Sequence, residues 1–115
     1  MAGPDCVFCA IVTGDIPADV VHETDGALAF RDLDPQAPTH VLVVPRAHHE
    51  NAAALAAADP GALAELVRVA AEVAAKDGLG TTYRLVFNTG AEAGQSVFHT
   101  HLHLLGGRPM SWPPG

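Results

Sequence analysis

The sequence predicts an α+β fold: a mostly antiparallel, five-stranded sheet with two helices on one side. Three observations predict it. Five short apolar runs are punctuated by Gly, Pro and Asp, the pattern of strands and turns. Their hairpin-sized connections suit antiparallel neighbours. One segment, Asp59 to Asp77, carries a helical period instead. A chain of 115 residues suits one domain, 1–115, because two separate cores are hard to build at this length. Charged residues at 17% and hydrophobic ones at 49% argue against disorder.

In chain order, Cys6 to Thr13 reads as a short helix closed by Gly14, Asp15 and Pro17. Val20 to Glu23 and Ala27 to Asp32 read as strands around Thr24-Asp25-Gly26. After a loop marked by Pro35 and Pro38, His40 to Val44 is an apolar strand ended by Pro45. The Ala-rich stretch at 52–58 is the only low-complexity patch and needs no explanation beyond composition. In the long helix, Asp59 is placed to cap, Pro60 suits the first helical position, and Gly78 and Gly80 lie past the end. Leu63, Leu66, Val67, Ala70, Val73 and Ala74 form one stripe, with Glu65, Arg68, Glu72 and Lys76 opposite. Arg68–Glu72 and Glu72–Lys76 have the spacing of helical ion pairs. Thr82 to Asn88 is a strand, Thr89 to Gln95 a glycine-punctuated loop, and Val97 to Leu105 the last strand. The tail, Arg108 to Gly115, is too rich in proline for a helix or central strand.

The charge balance, Lys+Arg 6 against Asp+Glu 13, gives −7 with His neutral. That excludes a general binder of nucleic-acid backbone. No apolar run is long enough to span a membrane. The first residues lack a basic and an apolar signal region, so a cytoplasmic protein is expected. Two cysteines make no disulfide framework there.

Seven histidines are a surplus. Three of them, His99, His101 and His103, alternate along the last predicted strand, so their imidazoles share one face. Phe98, Leu102 and Leu104 point to the other, toward the core. A solvated strand face would instead mix Thr, Lys and Glu. One metal ion holding all three is geometrically poor: the outer two Cα atoms lie ~13 Å apart at ~3.3 Å per residue, and zinc ligands must crowd together. A nucleophile flanked by two helpers fits better. A neutral imidazole, with an ordinary pKa near ~6.5, attacks phosphorus and leaves readily. His101 is central. Gly90, Gly94, Gln95 and Ser96 before it offer N–H groups and a hydroxyl to phosphate oxygens without adding net charge.

The pair Cys6-x-x-Cys9 is open to three readings: inert core thiols, a redox pair, or half of a zinc site. The redox reading lacks its βαβ context. The missing zinc ligands could come from His48 or His49 and from one histidine of the alternating set.

His99-Thr-His101-Leu-His103-Leu-Leu resembles the motif of the histidine triad (HIT) family. Gly94-Gln95-Ser96-Val97-Phe98 before it, and Leu105-Gly106-Gly107-Arg108-Pro-Met-Ser-Trp112-Pro-Pro-Gly115 after it, are similar to the histidine triad nucleotide-binding (HINT) branch. So are Ala29 to His40 and Val43 to His48 upstream. The likeness covers nearly the whole chain. It implies a homodimer whose two sheets join, with the 106–115 tail reaching toward the partner. It implies hydrolysis of purine nucleoside phosphoramidates, AMP bonded through nitrogen to an amine. On the family pattern His101 attacks phosphorus to form a nucleotidyl-histidine, which water cleaves. Ser96 sits near the leaving amine. His103 and the backbone at Gly94, Gln95 and Ser96 hold phosphate, and Asn88 meets nucleoside or phosphate. Asp32 binds the ribose hydroxyls, Leu33 lies against the base, His40 lines the pocket, and Trp112 helps select the leaving group. Zinc-holding members imply a structural ion on Cys6, Cys9, His48 and His99.

Taken locally, Asp32 and Asn88 also suit simple turns, and Trp112 could cover an apolar patch. Two other functions share these residues: a dinucleoside polyphosphate hydrolase, which the tail fits poorly, and a nucleotide-binding adaptor with incidental turnover.

Overall fold

The computed structural model describes residues 5–115. Residues 1–4, which belong to the N-terminal stretch read above for a signal, lie outside the described residues. The elements are α1 (Val7–Thr13), β1 (Val20–Glu23), β2 (Ala27–Arg31), β3 (Thr39–Pro45), α2 (Ala52–Ala58), α3 (Pro60–Lys76), β4 (Arg84–Val86) and β5 (Leu102–Gly106). The five strands form one antiparallel sheet in the order β1-β2-β3-β5-β4. The last strand therefore inserts between β3 and β4.

Strand alternation divides the apolar residues into two cores, one on each face. Ala27, Ala29, Val41, Val43, Leu102 and Leu104 face α2 and α3. Leu28, Phe30, Leu42 and Val44 face the opposite way, against Phe8 of α1. All of β3 is buried as a result. The helices thus cover both faces, where the sequence predicts one. A strand apolar on both faces needs two covers.

Among the described residues three α-helices form, against two expected. Asn51 caps α2 by accepting the Ala54 N–H (2.9 Å), and Leu55 anchors it in the core. Asp59 then ends α2 and caps α3 by accepting from Ala62 (3.1 Å). Pro60 at the next position has no N–H with which to continue α2. Along α3 the buried stripe is Leu66, Val69, Ala70, Val73 and Ala74, while Val67 is 41% exposed. The stripe is rotated from the predicted one, because the helix centres on Leu66 and Val69.

Glu72 and Lys76 do not simply pair along the helix. His22 of β1 stands between them, its Nε2 2.6 Å from Glu72 and its Nδ1 2.6 Å from Lys76. Glu65 turns inward to accept from the Thr24 hydroxyl in the β1–β2 turn. Gly26 lets it approach, since a Cβ there would sit 2.6 Å from the Glu65 carboxylate. At the far end, Arg31 grips Asp77 with two hydrogen bonds (2.6 and 3.0 Å), and Thr39 donates a third (2.8 Å). Arg31 beside it holds the Asp77 carboxyl below its ordinary value.

The strand expected over Thr82–Asn88 shortens to β4, and that over Val97–Leu105 to β5. The β3–β5 ladder ends at Val43–Leu102. Two residues further on, Pro45 lacks the N–H a ladder needs, and Thr100 turns instead to the His49 carbonyl (2.8 Å). Phe98, expected in the core, is 44% exposed in the irregular segment that results. Among the described residues, no helix is long and apolar enough to cross a membrane.

Candidate functional site

His101 and His103 keep the expected alternation on the α1 face, with Leu102 and Leu104 in the opposite core. His99 precedes β5 yet lies on the same side, since Phe8 meets both the His99 ring (centroids 6.0 Å) and the His101 ring (5.0 Å) edge-on. Neighbouring hydrogen bonds then fix the proton on each ring, because a carbonyl only accepts and a backbone N–H only donates. His101 Nδ1 lies 2.8 Å from the His99 carbonyl, so it carries the proton and Nε2 keeps its lone pair. Gln36 donates its N–H to His40 Nδ1 (3.0 Å). His40 therefore carries its proton on Nε2 and donates to His103 Nδ1 (2.9 Å). His103 is left with a donor at Nε2. The result is one nucleophilic nitrogen beside one fixed N–H donor.

Burial favours the neutral form of His101 and His103. It pushes His101 below its ordinary value, against the His99 carbonyl and Asp32, which both favour the proton. It pushes His103 down to about 4, aided by His101 and His40. A neutral His101 is a competent nucleophile at pH 7.

Asp32 serves two purposes. Its Oδ1 accepts the Asp34 N–H (2.8 Å), the turn role anticipated from Asp-x-Asp-Pro. Its Oδ2 stands 3.5 Å from His40 Nε2. Beside it opens a cavity of about 250 Å³. Asp32, Leu33 and Leu42 line one wall, and Val7, Phe8 and Ile11 of α1 line the other. Leu33 is fully exposed at the rim, which apolar packing within the chain does not explain. Val7, Phe8 and Ile11 are absent from the sequence-derived site. Their signal was the helical spacing Val7–Ile11, which reads equally as core. No histidine lines this cavity or a larger hollow of about 630 Å³ beside Leu79, Arg84 and Met110; the smaller one adjoins the histidines through two of its lining residues, Asp32 beside His40 and Phe8 against the His101 ring.

The loop before the histidines is braced from within. The buried Gln95 side chain accepts from the Gly90 N–H (2.9 Å) and donates to the carbonyls of Glu50 (2.7 Å) and Val97 (3.1 Å). The N–H groups of Gly94 and Gln95 already donate to Ala91 and Gly90. They are therefore engaged within the loop rather than turned to a ligand. Gly94 adopts φ +100°, where a side chain would be strained, and stands against the Asn88 amide. Ser96 is exposed. Trp112 is 83% exposed on a tail tied down by Arg108 to the Gln36 carbonyl (3.0 Å) and by Arg84 to the Ser111 carbonyl (2.8 Å). None of these tail bonds brings Trp112 to the histidines of its own chain.

A second cluster lies on the same face. Cys6 Sγ is 3.4 Å from His99 Nδ1, and Cys9 Sγ is 3.4 Å from His48 Nδ1 and 3.5 Å from His99 Nδ1. The two Nδ1 atoms are 3.1 Å apart. His99 Nε2 donates to the Pro45 carbonyl (2.9 Å), so its Nδ1 lone pair faces the cluster. Burial lowers the pKa of both His48 and His99, which favours the neutral, ligating form. The edges of a tetrahedral Cys2His2 zinc shell are about 3.3–3.8 Å, and the four donor atoms lie mutually within 4.8 Å. The residues thus fit such an ion. His48 is the one brought in, while the His49 carbonyl receives the Thr100 N–H and hydroxyl.

The HIT domain matches residues 13–110, and the chain belongs to the HIT family. It is 51% identical over 111 residues to an uncharacterized HIT-like protein of Synechocystis, covering 96% of this chain and 97% of the other. It is 46% identical to a 14 kDa zinc-binding protein of Zea mays, covering 95% and 87%. The crystal structure of a HIT family hydrolase from Legionella pneumophila superposes with a TM-score of 0.92 at 49% identity, covering 96% of this chain and all of the other. The chain is accordingly a HIT hydrolase-like protein with the antiparallel α+β fold of that family.

Proposed function

We propose that this chain hydrolyses purine nucleoside phosphoramidates of the AMP-amine type, as the HINT branch does. The observation that carries the reading is the His101 ring, whose Nδ1–H is committed to the His99 carbonyl, leaving Nε2 with its lone pair, and which packs against Phe8 of the cavity wall. That lone pair attacks the α-phosphorus. A P–Nε2 bond forms, the P–N bond to the amine breaks, and the leaving amine takes the hydroxyl proton of Ser96, which solvent replaces. Water then adds to phosphorus and gives up a proton to solvent, the P–Nε2 bond breaks, and AMP and neutral His101 are regenerated. His103 Nε2–H, with its neighbour His40 behind it, donates to a phosphoryl oxygen throughout. Asp32 Oδ2 accepts from the ribose hydroxyls, and the apolar cavity takes the base between Leu33 and α1. Asn88, Gly94, Gln95 and Ser96 frame the phosphate side, with Ser96 supplying its hydroxyl and the loop bonds of Gln95 fixing its shape. The chain acts as a homodimer in which Trp112 reaches the partner's leaving group. The short edge strand β4, paired only to β5, offers the place for two sheets to join.

Cys6, Cys9, His48 and His99 would hold one structural zinc ion. When bound, the ion supplies a closed four-ligand crosslink and takes no part in the hydrolysis.

Steady-state turnover of adenosine 5′-phosphoramidate against diadenosine tetraphosphate tests the substrate class. The phosphoramidate is expected to have a kcat/KM at least about 100-fold higher, and the reverse order overturns the reading. Elemental analysis of the purified chain is expected to give about one zinc per chain, and Cys6→Ser to lower it. Undiminished metal in that variant contradicts the ligand set.

A further inference from the structure

Two parts of the chain connect the Cys/His cluster to the cavity and to His101. One is α1. Cys6 sits at its N-cap, with Sγ accepting the Cys9 N–H (3.3 Å), and Cys9 lies in its first turn. Both cysteines belong to the cluster, while Val7, Phe8 and Ile11 of the same helix form one wall of the cavity. A seven-residue helix has no stability of its own in water, so its position is set by what anchors it. The other is His99. Its ring is a cluster ligand, and its carbonyl orients His101. Phe8 stands between them, packed edge-on against His99, His101 and Phe30.

We propose that metal binding at Cys6, Cys9, His48 and His99 is thermodynamically linked to nucleotide binding in the cavity, with Phe8 as the positioning residue between the two. A cation drawing the four donors together fixes α1 against the sheet and holds the His99 carbonyl in line with His101. Without it, the four side chains are held together only by thiol–imidazole and imidazole–imidazole contacts at 3.1–3.5 Å, a looser tether than four metal bonds, and the α1 wall is freer to shift relative to the Asp32–Leu42 wall. The linkage rests on the nucleotide and zinc readings above. It must act equally in both directions.

The test measures AMP affinity by titration calorimetry on the zinc-loaded and the chelator-stripped chain. It also measures zinc affinity by competition with a chromophoric chelator, with and without saturating AMP. The expected result is a factor of about ten in each, equal within error. AMP that binds both forms equally, and leaves zinc affinity unchanged, overturns the linkage alone. A loaded chain that binds no AMP overturns the nucleotide reading, and a purified chain without zinc overturns the zinc reading; the linkage falls with either. Phe8→Leu separates the linkage from a general loss of fold. It retains zinc and an apolar wall, and its factor is expected to fall to about two or less. Should stripping unfold the chain, zinc release from the loaded protein to chelator gives the same answer: AMP slows it about tenfold in the wild type and much less in Phe8→Leu. Equal slowing in both overturns the proposal.

Discussion

The three histidines of the alternating motif do three different things, and the hydrogen bond on each ring decides which. His99 gives its Nε2–H to Pro45 and turns Nδ1 to the cysteines. His101 gives its Nδ1–H to the chain and keeps Nε2 open. His103 accepts from His40 and keeps a donor. His101→Ala is expected to lower turnover by at least about 1,000-fold while AMP affinity, read by calorimetry, stays within a few-fold. A variant that binds equally and turns over normally contradicts the role of His101. His103 makes a separate prediction about pH. Its folded-state pKa is about 4, below the ordinary ~6.5. The folded chain therefore binds fewer protons than the unfolded one between those values. The contribution of His103 is fully present above pH 6.5 and is lost as pH falls toward 4. Urea midpoints measured across that range should fall with acid, and His103→Gln should flatten the slope.

At the scale of elements, the C-terminal end of α3 is bound to the sheet by charge. Asp77→Ala leaves Arg31 without its carboxylate partner and Thr39 without an acceptor, and is expected to cost about 1–3 kcal/mol. The Asp77 pKa is lowered by Arg31, so this contribution is present above the unfolded value near 3.8 and disappears as pH falls through the lower folded value. Equal denaturant midpoints for wild type and variant at pH 7 would contradict that reading. Most elements were legible in the sequence for simple reasons. Asp59-Pro60 marks a helix start, Gly26 a turn, and the two-residue period of the last strand marks the face of His101 and His103. What was illegible depended on contacts between distant segments. Nothing local in 52–58 separates a surface helix from alanine-rich filler; Leu55 becomes an anchor only when α3 and the helix-side core close around it. Pro45 shortens β5 from across the sheet. Val7 and Ile11 become a cavity wall only because Asp32 and Leu42 stand opposite.

At the scale of the molecule, two cores back one sheet, and the side covered by the short helix α1 carries the three histidines and the Cys/His cluster. The thicker cover, α2 and α3, supplies rigidity. The candidate site was legible at its centre, because alternating histidines are chemically unusual, and less so at its rim. The choice of His48 over His49 needed the turn after Pro45, and the engaged N–H groups of Gly94 and Gln95 could not be read from glycine content. Stripping the zinc proposed for Cys6, Cys9, His48 and His99 should lower the thermal midpoint by several degrees, since the ion would crosslink α1, the 45–49 turn and the 99–101 segment; a midpoint unmoved by chelation, with the metal shown to be gone, would contradict a structural ion. The most direct test of the central claim is rapid acid quenching of the chain with a phosphoramidate labelled in its α-phosphate. The account predicts a burst of label bound to protein, acid-labile as a phosphoramidate is, mapping to His101 and absent from His101→Ala. Label that passes only into free nucleotide at every time point, with turnover proceeding normally, would contradict it.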